Sequence, residues 1–321
     1  MSNTATQNHP DLTLSIIIVS WNACELLATC VQSIYDNLDL PQTEVIVVDN
    51  GSDDGSPEMV RTRFPQARLI ENGENRGFAA ANNQGLRASR GRYLLLLNSD
   101  TEVRPGALRT LVNFLDMHLN VGVVGPKLLN TDGTLQRSSY TFPTVLKETV
   151  LLGGERMARA LVGDYPFAPI TRSAMPVDWV KGAALMIRRD VVDAVGELDE
   201  TFFFYTEETD WCYRVRQAGW LVMYEPGAAI VHHDGGSSGR VSLQKRFRLY
   251  GSKQQFFEKH HGRRAARTYA AAVWISAVVK MLIWQGVAAV VNGPKSELAR
   301  HNVRSYATLL GLSSKSEGVT P

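Results

Sequence analysis

Three short apolar runs constrain this chain more than any other feature: LSIIIVS at 14–20, EVIVVD at 44–49 and RYLLLL at 92–97. None alternates cleanly between apolar and polar residues, so each reads as a strand covered on both faces. Between them lie helical patterns. Residues 23–37 carry Leu26, Leu27, Val31 and Ile34 at helical spacing, 78–88 reads as a helix, and 105–118 reads as a helix with proline near its first turn. A weaker strand is expected at 68–71 and another at 121–127. This β-α-β-α order predicts an α/β fold with a mostly parallel central sheet and helices on both faces.

In open α/β sheets, ligands bind beyond the carboxyl ends of the strands. The residues that end these three runs are Ser20-Trp21-Asn22, Asp49-Asn50 and Asn98-Ser99-Asp100. They are expected to line one crevice. Further along, 130–175 reads as irregular and mobile. Apolar structure resumes at 177–189, and a charged helix follows the aromatic cluster at 202–205. Short strands are expected at 221–225 and 228–232, helix from 242 to about 292, and a frayed polar end.

Composition narrows the function classes. With 44% hydrophobic and 21% charged residues and a net charge of +2, the chain is neither disordered nor a polytopic membrane protein. Cys24, Cys30 and Cys212 show no CxxC spacing, which fits reduced thiols rather than a disulfide framework. The first 13 residues lack the basic and apolar regions of a signal peptide, so a cytoplasmic setting is expected. Residues 245–267 concentrate eight Lys/Arg against the single acid Glu258. The basic block by itself does not read as a nucleic-acid site. It precedes YAAAVWISAVVKMLIWQGVAAVV at 269–291, whose one charge is Lys280. That stretch reads as a helix packed on the protein, as one lying in an anionic membrane interface, or as a single span opposed by the central lysine.

Three polar clusters carry chemistry. Asp100 at the end of a buried strand suits a hard divalent cation shared with a diphosphate, or a cap on the following turn. Glu207-Glu208-Thr209-Asp210 reads as a carboxylate cluster tuned for general-base work, or as acids favouring a helix N-terminus. His232-His233, before a Gly/Ser loop, reads as a metal ligand or as structural histidine. In addition, Arg76, in Asn75-Arg76-Gly77, suits a phosphate or base contact. No GxGxxG follows the first strand, which argues against a nicotinamide-dependent oxidoreductase.

Taken in order, LSIIIVSWN, EVIVVDNGSDDGS, ENRGFAAANN, RYLLLLNSD, WVKGAALMIRRDVVDAVGELDETFFFYTEETDWCYR and VHHDGGSS resemble the family 2 glycosyltransferases of GT-A fold, rhamnosyltransferase-like branch, over about residues 12–240. The resemblance implies a catalytic domain at 12–241, flanked by a disordered N-terminus (1–11) and a C-terminal helical, membrane-associating region (242–321). It places Ser20, Asn22, Asp49 and Asn50 against the nucleoside of a sugar nucleotide, and Arg76 near its base or diphosphate. Asn98-Ser99-Asp100 stands where the family carries its DxD-type motif, with Asn98 offering a neutral oxygen. Asp100 and His232 would hold Mg²⁺ or Mn²⁺. Glu208 stands at the position of the catalytic base, with Asp210 as second choice. Trp179, Gly182 and Ala183 would border the acceptor.

The implied activity is inverting transfer from a nucleoside-diphosphate sugar, dTDP-rhamnose favoured, to a hydroxyl of a glycan or lipid-linked acceptor in cell-surface polysaccharide synthesis. The implied location is the inner face of the membrane, as a peripheral protein. Oligomeric state is left open. The alternative is an inactive sugar-nucleotide-binding scaffold, to which Asn98 and Glu208 point as departures from the family pattern.

Overall fold

The computed structural model describes residues 12–169, 171–202, 205–233 and 243–311. The expected disordered N-terminus, the Gly/Ser loop after His233, Phe203-Phe204 and residues 312–321 lie outside the described residues. In chain order the elements are β1 (Leu12–Ser20), α1 (Cys24–Asp36), β2 (Thr43–Asp49), α2 (Ser56–Arg63), β3 (Arg68–Glu71), α3 (Phe78–Ala88), β4 (Gly91–Asn98), β5 (Thr101–Val103), α4 (Ala107–Met117), β6 (Val121–Leu129), β7 (Leu135–Gln136), β8 (Ser139–Tyr140), α5 (Val145–Leu152), α6 (Glu155–Val162), β9 (Met175–Val177), β10 (Trp179–Val180), β11 (Ala184–Arg188), α7 (Arg189–Val195), α8 (Glu207–Gln217), β12 (Leu221–His232), α9 (Leu243–Val290) and α10 (Pro294–Leu309). They divide into two compact units, one within Met1–Phe142 and Pro166–Gly239, the other within Pro143–Tyr165 and Arg240–Pro321.

In the first unit a mixed sheet runs β3-β2-β1-β4-β11-β6-β12-β5. The long ladders β1–β2, β1–β4 and β6–β12 are parallel, as expected. The antiparallel β11 wedges between β4 and β6. Both faces are covered, which explains the unbroken apolar runs. Ile16 and Ile18 pack with Leu27, Val31 and Ile34 of α1 and Leu108, Leu111 and Leu115 of α4. Ile17, between them, points the other way, against Leu86 of α3 and Trp211 and Val215 of α8. A Cβ on Gly85 would lie 2.3 Å from Ile17 Cγ2, so the α3–β1 approach requires glycine there.

Where strands were expected at 221–225 and 228–232, one strand, β12, runs through with a register shift between Glu225 and Ala229. Pro226-Gly227 breaks the apolar pattern without ending the strand, because β6 continues to pair on both sides of it.

In the second unit, the region expected to be irregular contributes α5 and α6. Thr144 caps α5 by accepting from the Lys147 N–H. Glu148 is buried, accepting from Tyr165 OH at 2.5 Å and from Lys253 Nζ at 2.7 Å. α5 is fastened partly by this polar network, and α6 spans only about two turns, so periodicity over so short a stretch did not single them out. Gly262 (φ 82°, ψ 169°) divides α9 into two arms. Past the helix end expected near 292, α10 continues to Leu309 and packs against α9, while residues 312–321 of the end expected to fray lie outside the described residues.

Candidate active site

Strand register places the site. Ser20 is opposite Asp49 in the β1–β2 ladder, and Val19 is opposite Asn98 in β1–β4, so three strand ends lie side by side. β12 ends with His232 opposite Thr101 of β5, directly after Asp100. β11 enters the same end of the sheet, with Ala184 opposite Leu97. The Asn98 N–H donates to the Ala183 carbonyl at 3.0 Å.

Asp100 Oδ1 stands 3.4 Å from His232 Nε2. The surroundings determine what lies between these atoms. His232 Nδ1 is 2.7 Å from Gln136 Oε1, and Lys181 Nζ donates to the same oxygen at 3.2 Å. Gln136 Nε2 donates to Asn130 Oδ1 and to the His232 carbonyl. An amide oxygen only accepts, so Nδ1 carries a proton and Nε2 is the ring nitrogen that faces the carboxylate. With the ring neutral, a carboxylate oxygen and Nε2 so placed would suit a divalent cation. Among the described residues no cluster of three His, Cys, Asp or Glu ligands occurs, so a cation held here would take its remaining coordination from substrate oxygens and water. That is the usual arrangement for Mg²⁺, which keeps waters and shares substrate phosphates. Asp100 does not cap the next helix: β5 intervenes, and Gly106 is the N-cap of α4.

Glu207 and Glu208 open α8, behind Tyr205 (φ 71°) and Thr206 (φ 76°), two consecutive non-glycine residues in the left-handed region. Such strain persists only where surrounding packing over-determines it, and it concentrates at functional sites. Burial holds the Glu208 carboxyl above the usual carboxylate range; the Gly182 backbone and the Lys181 charge oppose that shift. Glu207 is pushed well above that range by burial and by the charge of Glu208. Glu207 Oε2 and Glu208 Oε2 are buried without a protein partner. Lys181 therefore bridges the two halves of the site, near Glu208 on one side and 3.4 Å from His232 Nδ1 on the other.

Asp210, the alternative base, is fully buried and pairs with Arg214 Nε at 3.0 Å, while Arg214 also donates to the Val195 and Glu197 carbonyls. This arrangement fastens α8 to the end of α7.

The residues expected against a nucleoside divide into two groups. Ser20 Oγ and Asp49 Oδ1 are buried and lack any partner in the protein. Buried polar atoms are rarely left unpaired without a reason. By contrast, the side chains of Asn22 (φ 49°) and Asn50 have partners within the protein. Asn22 Oδ1 accepts from the Asp53 N–H at 2.9 Å. Asn50 Nδ2 donates to Asn75 Oδ1 and the Gly77 carbonyl, and its Oδ1 accepts from Asn72 Nδ2 and the Arg76 N–H. All four hydrogen-bonding positions of the amide are occupied, so Asn50 braces the 72–77 loop instead of facing a ligand. Gly51 (φ 80°) lets the loop after β2 pass the Glu74 backbone, where a Cβ would come within 2.8 Å. Arg76 lines an open hollow of about 560 Å³ with Asn72, Glu74 and Gln84; none of the residues around Asp100 and Glu208 borders it.

Ser99 sits half-buried in the turn between Asn98 and Asp100. The Asn98 carbonyl there accepts from Thr101 Oγ1 at 2.8 Å. Gly182 lies beside Glu208, with its ideal Cβ position 3.6 Å from Oε1. The Ala183 side chain is buried in the core cluster, because the turn into β11 directs adjacent residues to opposite sides. Trp179 is half-buried, donates from Nε1 to the Thr141 carbonyl, and stacks on Tyr140 with ring centroids 4.1 Å apart. Burial pushes the Cys30 and Cys212 thiols up to about 12, which makes them inert.

Sequence reasoning missed Lys181, Gln136 and Tyr140. Lys181 had a signal: it is the one charge in the apolar run WVKGAALMI. Gln136 and Tyr140 lie in a stretch without periodicity and had none.

Residues 15–181 match the sequence model described as Glycosyl transferase family 2. A curated relative, the N-acetylglucosaminyl-diphospho-decaprenol L-rhamnosyltransferase of Mycobacterium tuberculosis (strain H37Rv), is 30% identical over 210 residues, covering 61% of this chain and 68% of the relative. The dTDP-rhamnosyl transferase RfbF of Shigella flexneri is 25% identical over 201 residues, covering 61% of this chain and 62% of its own. Among solved structures, the mannosyltransferase PcManGT from Pyrobaculum calidifontis, in complex with GDP-Man and Mn²⁺, superposes with a TM-score of 0.55 at 18% identity, over 95% of this chain and 84% of that one.

Proposed function

Because the chain belongs to glycosyl transferase family 2 and is a glycosyltransferase of GT-A fold acting in glycan biosynthesis, we propose that it moves a sugar, rhamnose from dTDP-rhamnose in first place, onto a hydroxyl of a glycan or lipid-linked glycan, with inversion and with Mg²⁺ or Mn²⁺. The juxtaposition of Asp100 Oδ1 and His232 Nε2, with Nδ1 held by Gln136, carries this reading. They would hold the cation, which supplies charge neutralisation for the departing diphosphate. The rhamnosyltransferase names of two relatives support the donor.

The chain's own residues do the rest. Ser20 Oγ and Asp49 Oδ1 have unmet hydrogen-bonding capacity at the strand ends, matched by a nucleoside's hydroxyl and N–H groups. Glu208 takes the proton from the acceptor hydroxyl as that oxygen attacks the anomeric carbon; burial, by raising its pKa, makes it a stronger base. Lys181 adds positive charge beside the leaving diphosphate, held there by Gln136. The stacked Tyr140–Trp179 pair offers an aromatic face to the acceptor's sugar ring.

The test uses purified protein, a panel of sugar nucleotides, and nucleoside diphosphate release with and without EDTA. Release restored by Mn²⁺ or Mg²⁺ is expected, as is a thermal upshift with Mn²⁺ plus nucleoside diphosphate that Asp100→Ala loses. Metal-independent release, or an undiminished upshift in Asp100→Ala, would overturn the cation assignment. Binding without transfer to any glycan acceptor would favour the scaffold alternative.

A further inference from the structure

We propose that the second arm of α9 is a docking surface for an anionic bilayer, on which it lies flat in the headgroup region without crossing. This inference concerns the second unit alone and does not rest on sugar transfer.

Trp274, Ile275, Val279, Leu282, Ile283 and Val290 are all about half exposed or more. At helical spacing, all but Trp274 fall within an arc of about 100°. Lys280 lies outside that arc, as do the buried Val273 and Ala277. The lysine that opposed a span in the sequence thus stands on the flank of the apolar stripe, not within it. The most apolar 18-residue window of this helix has mean hydropathy 1.7 and is 11% buried, whereas a core helix of that hydropathy would be mostly covered.

Charge complementarity identifies the occupant. Arg264 is exposed in line with the stripe's edge, about three turns before Ile275, and Arg267 is exposed on the stripe's flank about two turns before it, with exposed Arg263 next to Arg264. A basic end in line with an apolar stripe matches a surface of anionic headgroups over acyl chains. A transmembrane placement conflicts with α10, which packs back along α9 and carries exposed Lys295, Glu297, Arg300 and Arg304. Those charges would be carried into hydrocarbon. Independently, the Mycobacterium tuberculosis relative is named for a decaprenol-linked substrate.

The experiment is flotation of the full chain with vesicles of phosphatidylcholine alone or mixed with phosphatidylglycerol, at low and high salt. Recovery with the anionic vesicles is expected to fall about tenfold in the triple variant Ile275→Gln, Leu282→Gln, Ile283→Gln, and to lose its salt sensitivity in Arg264→Gln, Arg267→Gln. These residues are exposed, so unchanged melting and unchanged nucleoside diphosphate binding confirm folding. Flotation unaffected by the triple variant overturns the proposal. So does a wild-type dimer in solution that the triple variant converts to monomer while neither form floats, since the stripe would then face a second copy. Resistance of membrane-bound chain to alkaline carbonate extraction would overturn the flat placement in favour of a span.

Discussion

Replacing Asn50 by alanine separates a brace from a ligand contact. The side chain makes four hydrogen bonds, all to residues 72–77, and is 3% exposed. At a net ~0.5–1.5 kcal/mol each, their loss is bounded at ~2–6 kcal/mol. Arg76 is exposed and Asn72 and Asn75 are half-buried, so water repairs part of that loss. The expected cost is about 2–3 kcal/mol, near the lower bound. For a unit of this size each kcal/mol moves Tm by ~2–4 °C, so calorimetry is expected to show a drop of ~4–12 °C. Urea unfolding gives the free energy directly. Nucleotide affinity, measured on the folded variant, is expected to fall less than it does for a residue that touches the ligand. Asn50→Asp keeps both acceptor contacts and loses both donors, and it is expected to fall between wild type and alanine near pH 5. If Asn50→Ala melts within a degree or so of wild type but no longer binds nucleotide, the bracing argument is wrong and Asn50 faces the nucleoside.

Three further outcomes follow from the site. Ser20→Ala removes a buried hydroxyl that no protein group satisfies, so stability is expected to hold or rise by up to ~1 kcal/mol while nucleoside diphosphate binding weakens; urea unfolding and titration calorimetry check the two halves. Glu208 has a folded pKa raised by burial, so the folded state retains its proton after the unfolded chain has lost it, and stability declines as pH rises from ~4.3 through the raised value. Glu208→Gln is therefore expected to gain stability over wild type progressively from pH 5 to pH 8, while turnover falls ~10²–10⁴-fold; equal gains at both pH values would contradict the burial argument. Asp210→Asn breaks the buried pair with Arg214 and is expected to cost about 2–3 kcal/mol, since Arg214 keeps two carbonyl partners and some solvent. Its folded fraction, assayed per mole, should lose far less turnover than Glu208→Gln.

The local pattern of this chain determined its strands, its main helices and the sheet end at which ligands gather. Burial on both faces leaves an unbroken apolar run, and the polar residues that end the run must emerge at the carboxyl edge. Asp100, His232 and Glu208 were accordingly legible as candidates, each on its own stretch of sequence. Tertiary structure alone decided which candidates meet and in what state. The antiparallel insertion of β11 sets Lys181 between Glu208 and His232, and an amide from the apparently featureless 130–175 region sets the histidine's tautomer. Asn50 and Asp49 are neighbours in sequence and equally polar, yet one spends its hydrogen bonds on a loop and the other keeps a buried oxygen open. Hydrogen-bond capacity depends on which groups the fold brings within 3 Å, and residue type and spacing do not encode those long-range distances.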